Sequence, residues 1–66
     1  MTITANGESH NLDPGTTLGG FLAAREIDHH KVVVERNGEA LSPSTSAELV
    51  LEDGDQLEIV RIVAGG

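Results

Sequence analysis

The 66 residues contain no cysteine, tryptophan or tyrosine, and Phe21 is the single aromatic. Without cysteine there is no disulfide framework, no thiolate metal site and no iron–sulfur cluster. Valine, leucine and isoleucine must therefore fill the interior. Basic residues are scarce too: four Lys and Arg stand against eleven Asp and Glu, a formal charge of -7. Such a surface repels phosphate backbones and argues against nucleic-acid binding. No apolar run is long enough to span a membrane. No N-terminal stretch joins a basic region to an apolar core, so no secretory signal is expected. A cytoplasmic location is the resulting expectation.

What is present suits one small domain over residues 1–66. Apolar residues make up 38% of the chain and cluster in short runs. A chain this short buries only roughly 60% of its unfolded surface, and a deep catalytic cleft is not expected. Glu48, Glu52, Asp53, Asp55 and Glu58 gather negative charge near the end. They suit a partner with a basic docking face, or serve only to keep a small domain soluble.

Turn signals divide the chain. Asn6-Gly7 between "TITA" and "ESHNL" predicts a hairpin with a two-residue type I′ turn, which needs positive φ at both positions. Ile3 and Ala5 then share one face, and Leu12 falls in the second strand. "DPGTT" breaks that strand, and Thr16 or Thr17 can cap a helix beginning near Leu18. Leu18, Phe21 and Leu22 form its apolar stripe. Gly19 and Gly20 each cost about 1 kcal/mol relative to alanine, so the helix should be short and close near Arg25 to Ile27. "KVVVER" reads as a buried strand, Asn37-Gly38 turns it into a brief strand "EAL", and Pro43 ends that strand. "SPSTSAEL" reads as a loop with room for one helical turn. A turn at Asp53-Gly54-Asp55 leads to the last strand. Hairpin, helix, hairpin and a final strand inserted beside the first make an α+β fold of β-grasp type, a mixed sheet of four to five strands with one helix across one face.

Two groups of residues carry candidate chemistry. A metal reading of the histidines would need His10 to converge with the adjacent His29 and His30 and a carboxylate such as Asp28. Adjacent residues ligate one ion poorly, and cationic groups after a helix C-terminus complement its dipole, so no metal site is expected. "DPGTTLGG" lacks the lysine and spacing of a phosphate-binding loop.

The second group is the ending "IVRIVAGG". A terminal carboxyl is ionised at neutral pH and is a poor electrophile. To carry a group it must be activated, ordinarily by attack on the α-phosphate of ATP in another protein's nucleotide pocket. Ala64, Gly65 and Gly66 supply about 10 Å of extended reach at roughly 3.4 Å per residue, with almost no girth and with glycine's backbone freedom. Residues 63–66 are expected to form a flexible tail. In the strand before it, Leu57 and Ile59 point inward by alternation, which places Val60 and Ile62 on the other face beside Glu58. If the helix covers one face only, Val60 and Ile62 form an exposed docking patch. A covering loop or a shifted register would make them core instead.

"TITANGE", "PGTTL" before the helix, "NGEAL" after the third strand, "EDGDQLEIV" and the terminal "VAGG" occur in an order that resembles the thiamine-biosynthesis sulfur-carrier proteins, the ThiS family. The resemblance covers essentially the whole chain. It implies a ubiquitin-like β-grasp domain that is a carrier and co-substrate, not an enzyme. An E1-like adenylyltransferase would use ATP and magnesium to adenylate Gly66. Sulfur from a donor such as a cysteine desulfurase system would convert it to a thiocarboxylate, which then serves thiazole synthase. On this resemblance Gly66 is the covalent carrier, Gly65 and Ala64 thread the partner's channel, and Val60, Ile62 and Glu58 dock. No cofactor would be bound stably by the chain itself.

Three other readings stay open on the sequence: a sulfur carrier for another route such as molybdopterin synthesis, a protein modifier joined to target lysines, and an interaction domain in which Gly-Gly is incidental.

Overall fold

The computed structural model describes residues 1–42 and 45–62. Strands β1 (Thr2–Ala5) and β2 (Glu8–Asn11) form the first hairpin. Helix α1 (Leu18–Ala24) follows, then a 3-10 turn at His29–Lys31. Strands β3 (Val32–Arg36) and β4 (Glu39–Ala40) make the second hairpin. A second 3-10 turn at Ser46–Glu48 precedes β5 (Gln56–Arg61). The sheet order is β2-β1-β5-β3-β4, with β5 parallel to β1 and antiparallel to β3. This is the expected β-grasp fold, with five strands.

Local chemistry explains each boundary. Asn6 (φ 50°) with Gly7 (φ 82°), and Asn37 (φ 51°) with Gly38 (φ 84°), supply the paired positive φ values of type I′ turns. Thr17 caps α1: its hydroxyl oxygen accepts the Gly20 N–H at 3.0 Å. Thr16 instead donates its hydroxyl to the Asp13 carbonyl at 2.7 Å, within the preceding turn. The helix closes at Arg25 in a Schellman arrangement. Glu26 N–H donates to the Ala23 carbonyl at 3.0 Å and Ile27 N–H to the Leu22 carbonyl at 2.9 Å. Glu26 therefore sits at φ 59°, where glycine is usual.

Ile3, Ala5, Leu18, Phe21, Leu22, Val32, Val34, Leu51 and Leu57 form the core between α1 and one face of the sheet. Full burial of each larger side chain contributes roughly 1.5–3 kcal/mol, which is how a single-aromatic interior holds together. Three expectations change in detail. β2 ends at Asn11, so Leu12 lies just beyond the strand, although it still packs against the core. β3 is buried on one face only, because no element among the described residues covers its other face: Val32 and Val34 point into the core while Val33 is 40% exposed. β4 covers only Glu39–Ala40; the expected role of Pro43 in ending it lies outside the described residues.

Gly19 has a packing role that its helix propensity conceals. A Cβ there would meet the Ala47 carbonyl oxygen at 2.8 Å and the Ala47 Cβ at 3.1 Å. The missing side chain lets the first turn of α1 press against the 3-10 turn at Ser46–Glu48. Among the described residues no helix is long and apolar enough to cross a membrane.

Candidate functional site

β5 occupies the centre of the sheet, gripped on both sides. Backbone pairs join it to β1 at Thr4 and Gln56 and at Ala5 and Leu57, and to β3 from Val32 and Arg61 through Arg36 and Leu57. The two hairpin asparagines add side-chain bonds. Asn6 accepts the Ile59 N–H at 2.7 Å and donates to the Ile59 carbonyl at 3.1 Å. Asn37 accepts the Gln56 N–H at 2.9 Å. A strand fixed in this way is a rigid base for whatever follows it.

Alternation along β5 places Leu57 in the core, Ile59 half-buried, and Glu58 and Val60 outward. Val60 is 58% exposed and Ile62 53% exposed. Both are apolar and exposed; for Val60, on β5, this follows from a helix that covers one face of the sheet. Val60 stands opposite Val33 on β3, and Glu58 opposite Glu35. The uncovered face thus carries a valine pair beside a pair of glutamates. Like charges directly opposite one another on a sheet destabilise it, so Glu35 and Glu58 weigh against the fold unless a cationic group lies over them. Sequence reasoning missed Val33 and Glu35 because "VVV" was read as buried throughout. The period-2 rule applied to β3 as it was to β5 identifies both.

Ile62 marks the exit of the strand. Its N–H donates to the Lys31 carbonyl at 2.9 Å, and it borders a cleft of about 260 Å³ with Ile27, Asp28, Lys31 and Arg61. The proposed carrier Gly66, the threading residues Gly65 and Ala64, and the tail 63–66 as a whole lie outside the described residues.

The acidic cluster divides into two kinds. Asp55 is only 4% exposed and serves the fold. Its carboxylate accepts the Glu52 N–H at 2.8 Å, the Arg36 Nε at 3.0 Å and the Asn37 amide at 3.2 Å. Burial opposes its ionisation, but these three donors outweigh that and hold the carboxyl below its ordinary value. Asp53 is likewise engaged, accepting the Thr2 N–H at 2.7 Å. Glu48, Glu52 and Glu58 are exposed, although Glu52 pairs with Arg36 at 3.2 Å. Asp55 is therefore occupied within the fold, while Glu58 is exposed.

The histidines separate. His10 on β2 lies edge-on to Phe21 with centroids 5.2 Å apart, its Nδ1 is 2.6 Å from the Arg25 guanidinium, and that guanidinium lies 4.8 Å over the Phe21 ring. Five residues beyond Ala24, the end of α1, His29 begins a separate 3-10 turn that also holds His30 and is capped by Asp28. The expected dipole role at the helix C-terminus is therefore not theirs; Arg25 closes the helix.

Comparison with known proteins adds to this geometry. The thiazole synthase of Magnetococcus marinus is 44% identical over 66 residues, covering all of this chain and 20% of the relative. The chain thus spans about a fifth of the length of the thiazole synthases it resembles. The sulfur carrier protein ThiS of Bacillus subtilis is 38% identical over 50 residues, 76% of each chain. A crystal structure of the thiamine biosynthesis protein ThiS from Geobacter metallireducens superposes with a TM-score of 0.78 at 30% identity and complete coverage of both chains. The ThiS family model matches residues 2–66, and the chain belongs to the ThiS family.

Proposed function

We propose that the chain is a sulfur carrier for formation of the thiazole ring of thiamine, with Gly66 as the carrier residue. The observation that carries this reading is the family match, which runs from Thr2 through the terminal Gly-Gly. The chemistry requires that the Gly66 carboxylate be free. An E1-like adenylyltransferase, using ATP and magnesium, lets that carboxylate attack the α-phosphate, and pyrophosphate leaves. The terminal sulfur of a persulfide, supplied by a system such as a cysteine desulfurase, then attacks the acyl carbon and AMP leaves. A second thiol cleaves the remaining S–S bond and departs in a disulfide, so the thiocarboxylate stays on Gly66. This chain holds no cysteine, so every thiol in the sequence of steps belongs to a partner.

Thiazole synthase is the proposed acceptor, a reading supported by relatives of that name that contain a stretch similar to this chain. Gly65 and Ala64 give the slender approach to a buried nucleotide. Val60 and Ile62 supply the apolar contact, and Glu58 the acidic one, for a partner with a complementary basic and apolar face. Exposure of Val60 and Ile62 supports this assignment. The chain is consumed and regenerated as a co-substrate in the cytoplasm, and the catalysts are its partners. Deletion of Gly66 tests the reading: ATP-dependent adenylation should vanish while the thermal midpoint hardly moves, because terminal residues contribute little to stability. Normal adenylation of the shortened chain would overturn it.

A further inference from the structure

Asp28 caps the 3-10 turn His29–Lys31 by accepting the His30 N–H at 2.9 Å. With three residues per turn, successive side chains point about 120° apart and would ordinarily diverge. Here the two imidazoles lie with centroids 4.0 Å apart and planes 36° apart. One donor atom from each of Asp28, His29 and His30 falls within 4.8 Å of the other two. The Asp28 cap on the His30 N–H brings the carboxylate to both imidazoles.

The donors are two imidazole nitrogens and a carboxylate oxygen. Calcium and magnesium favour all-oxygen surroundings, whereas this mixture suits zinc, nickel or copper. One Asp28 oxygen accepts the His30 N–H, and a carboxylate has a second oxygen to offer a cation. Asp28 and His30 are exposed and His29 is half-buried. Rotation of exposed side chains can therefore shorten the set to metal–ligand bonds of about 2.0–2.2 Å. A net charge of -7 concentrates cations at the surface, which offsets the Lys31 ammonium beside the turn. His10, held by Arg25 and Phe21, takes no part.

We propose that Asp28, His29 and His30 bind one divalent transition-metal ion of the zinc class, leaving the remaining coordination position to water. The site is independent of the sulfur chemistry proposed for Gly66. It does touch the same end of the molecule: Lys31, whose N–H closes the turn on the Asp28 carbonyl at 2.9 Å, accepts the Ile62 N–H on its own carbonyl, so a bound ion stiffens the support of the strand exit.

The test is a titration of the full chain, free of any affinity tag, with zinc chloride. Calorimetry gives the stoichiometry, and the ring-nitrogen NMR signals of the three histidines give the location. One saturable ion per chain is expected, with His29 and His30 signals moving together and His10 unmoved. Outer-shell changes alone weaken metal sites about 10–100-fold, so His29→Ala, His30→Ala and Asp28→Asn should each lose about tenfold or more, whereas His10→Ala should bind as the parent does. Asparagine at 28 keeps a capping oxygen, so that variant preserves the turn. Lack of saturable binding, or undiminished binding by the His29→Ala/His30→Ala double variant, overturns the site. Either result leaves the Gly66 reading untouched.

Discussion

Asn6 and Ile59 are joined twice across 53 residues of sequence, by a 2.7 Å bond from the Ile59 N–H to the Asn6 side-chain oxygen and a 3.1 Å bond from the Asn6 amide to the Ile59 carbonyl. The β1–β5 ladder ends in backbone with the Asn6 N–H on the Leu57 carbonyl at 2.9 Å. The side chain then supplies the next step. One residue both makes the hairpin turn and anchors the strand that leads to the candidate carrier end.

Asn6→Gly separates those two roles, since glycine keeps the positive φ and loses both bonds. At about 0.5–1.5 kcal/mol for each net hydrogen bond, a loss of about 1–3 kcal/mol is expected in urea unfolding. Amide exchange at Ile59 should accelerate more than exchange at Leu57. A variant as stable as the parent would show that the side-chain bonds contribute nothing.

Val60 lies opposite Val33 on the uncovered face of the sheet. Val60→Asp should leave the fold intact and weaken association with the proposed activating enzyme by about tenfold or more, the effect of losing a contact worth about 1.4 kcal/mol or more. Val33→Asp should act in the same direction. Binding can be followed by calorimetry, with circular dichroism as the fold control. Unchanged affinity in both folded variants would remove this face from the interface.

At Gly19 two effects compete. Alanine gains about 1 kcal/mol of helix propensity, but its Cβ would stand 2.8 Å from the Ala47 carbonyl oxygen, and overpacking against backbone costs typically about 1–3 kcal/mol. Gly19→Ala is therefore expected to lower the thermal midpoint. A higher midpoint would mean that the turn at Ser46–Glu48 yields freely.

Asp55 makes stability depend on pH in a definite direction. Its carboxyl titrates below the ordinary 3.8 in the folded chain, so the unfolded chain takes up the proton first. The contribution is fully present at neutral pH, begins to fade near 4, and is lost as pH falls through the depressed folded value. Asp28, also lowered, acts in the same sense. Urea midpoints measured from pH 7 to pH 3 should fall at the acid end, and Asp55→Asn should be less stable at pH 7 with a flatter acid limb. An acid limb as steep as the parent's would place the acid sensitivity elsewhere.

The fold was legible where one residue type answers one local demand. Asn-Gly pairs need positive φ at two places, Thr17 has a hydroxyl for an orphan N–H, and Leu18, Phe21 and Leu22 fall on one stripe. Long-range pairings were not legible. Nothing in "EDGD" says that Asp55 will be buried beneath Arg36 and Asn37 while Glu58 stays outside, because that depends on which strands flank β5. Gly19 reads locally as a poor helix residue, and its purpose appears only with Ala47 beside it. In the candidate site, Val60 followed from alternation. Val33 and Glu35 were hidden by a run of three valines that looked buried on both faces.

The most direct test of the sulfur-carrier assignment is fragment mass spectrometry of the chain, purified without a C-terminal tag from cells making thiamine. The account predicts exchange of one oxygen for sulfur in a fragment containing Gly66, trapped by a thiol-reactive alkylator and distinct from oxidation at Met1. A Gly66 carboxylate that stays unmodified in those cells, and resists conversion with ATP, an activating enzyme and a persulfide donor, would contradict it.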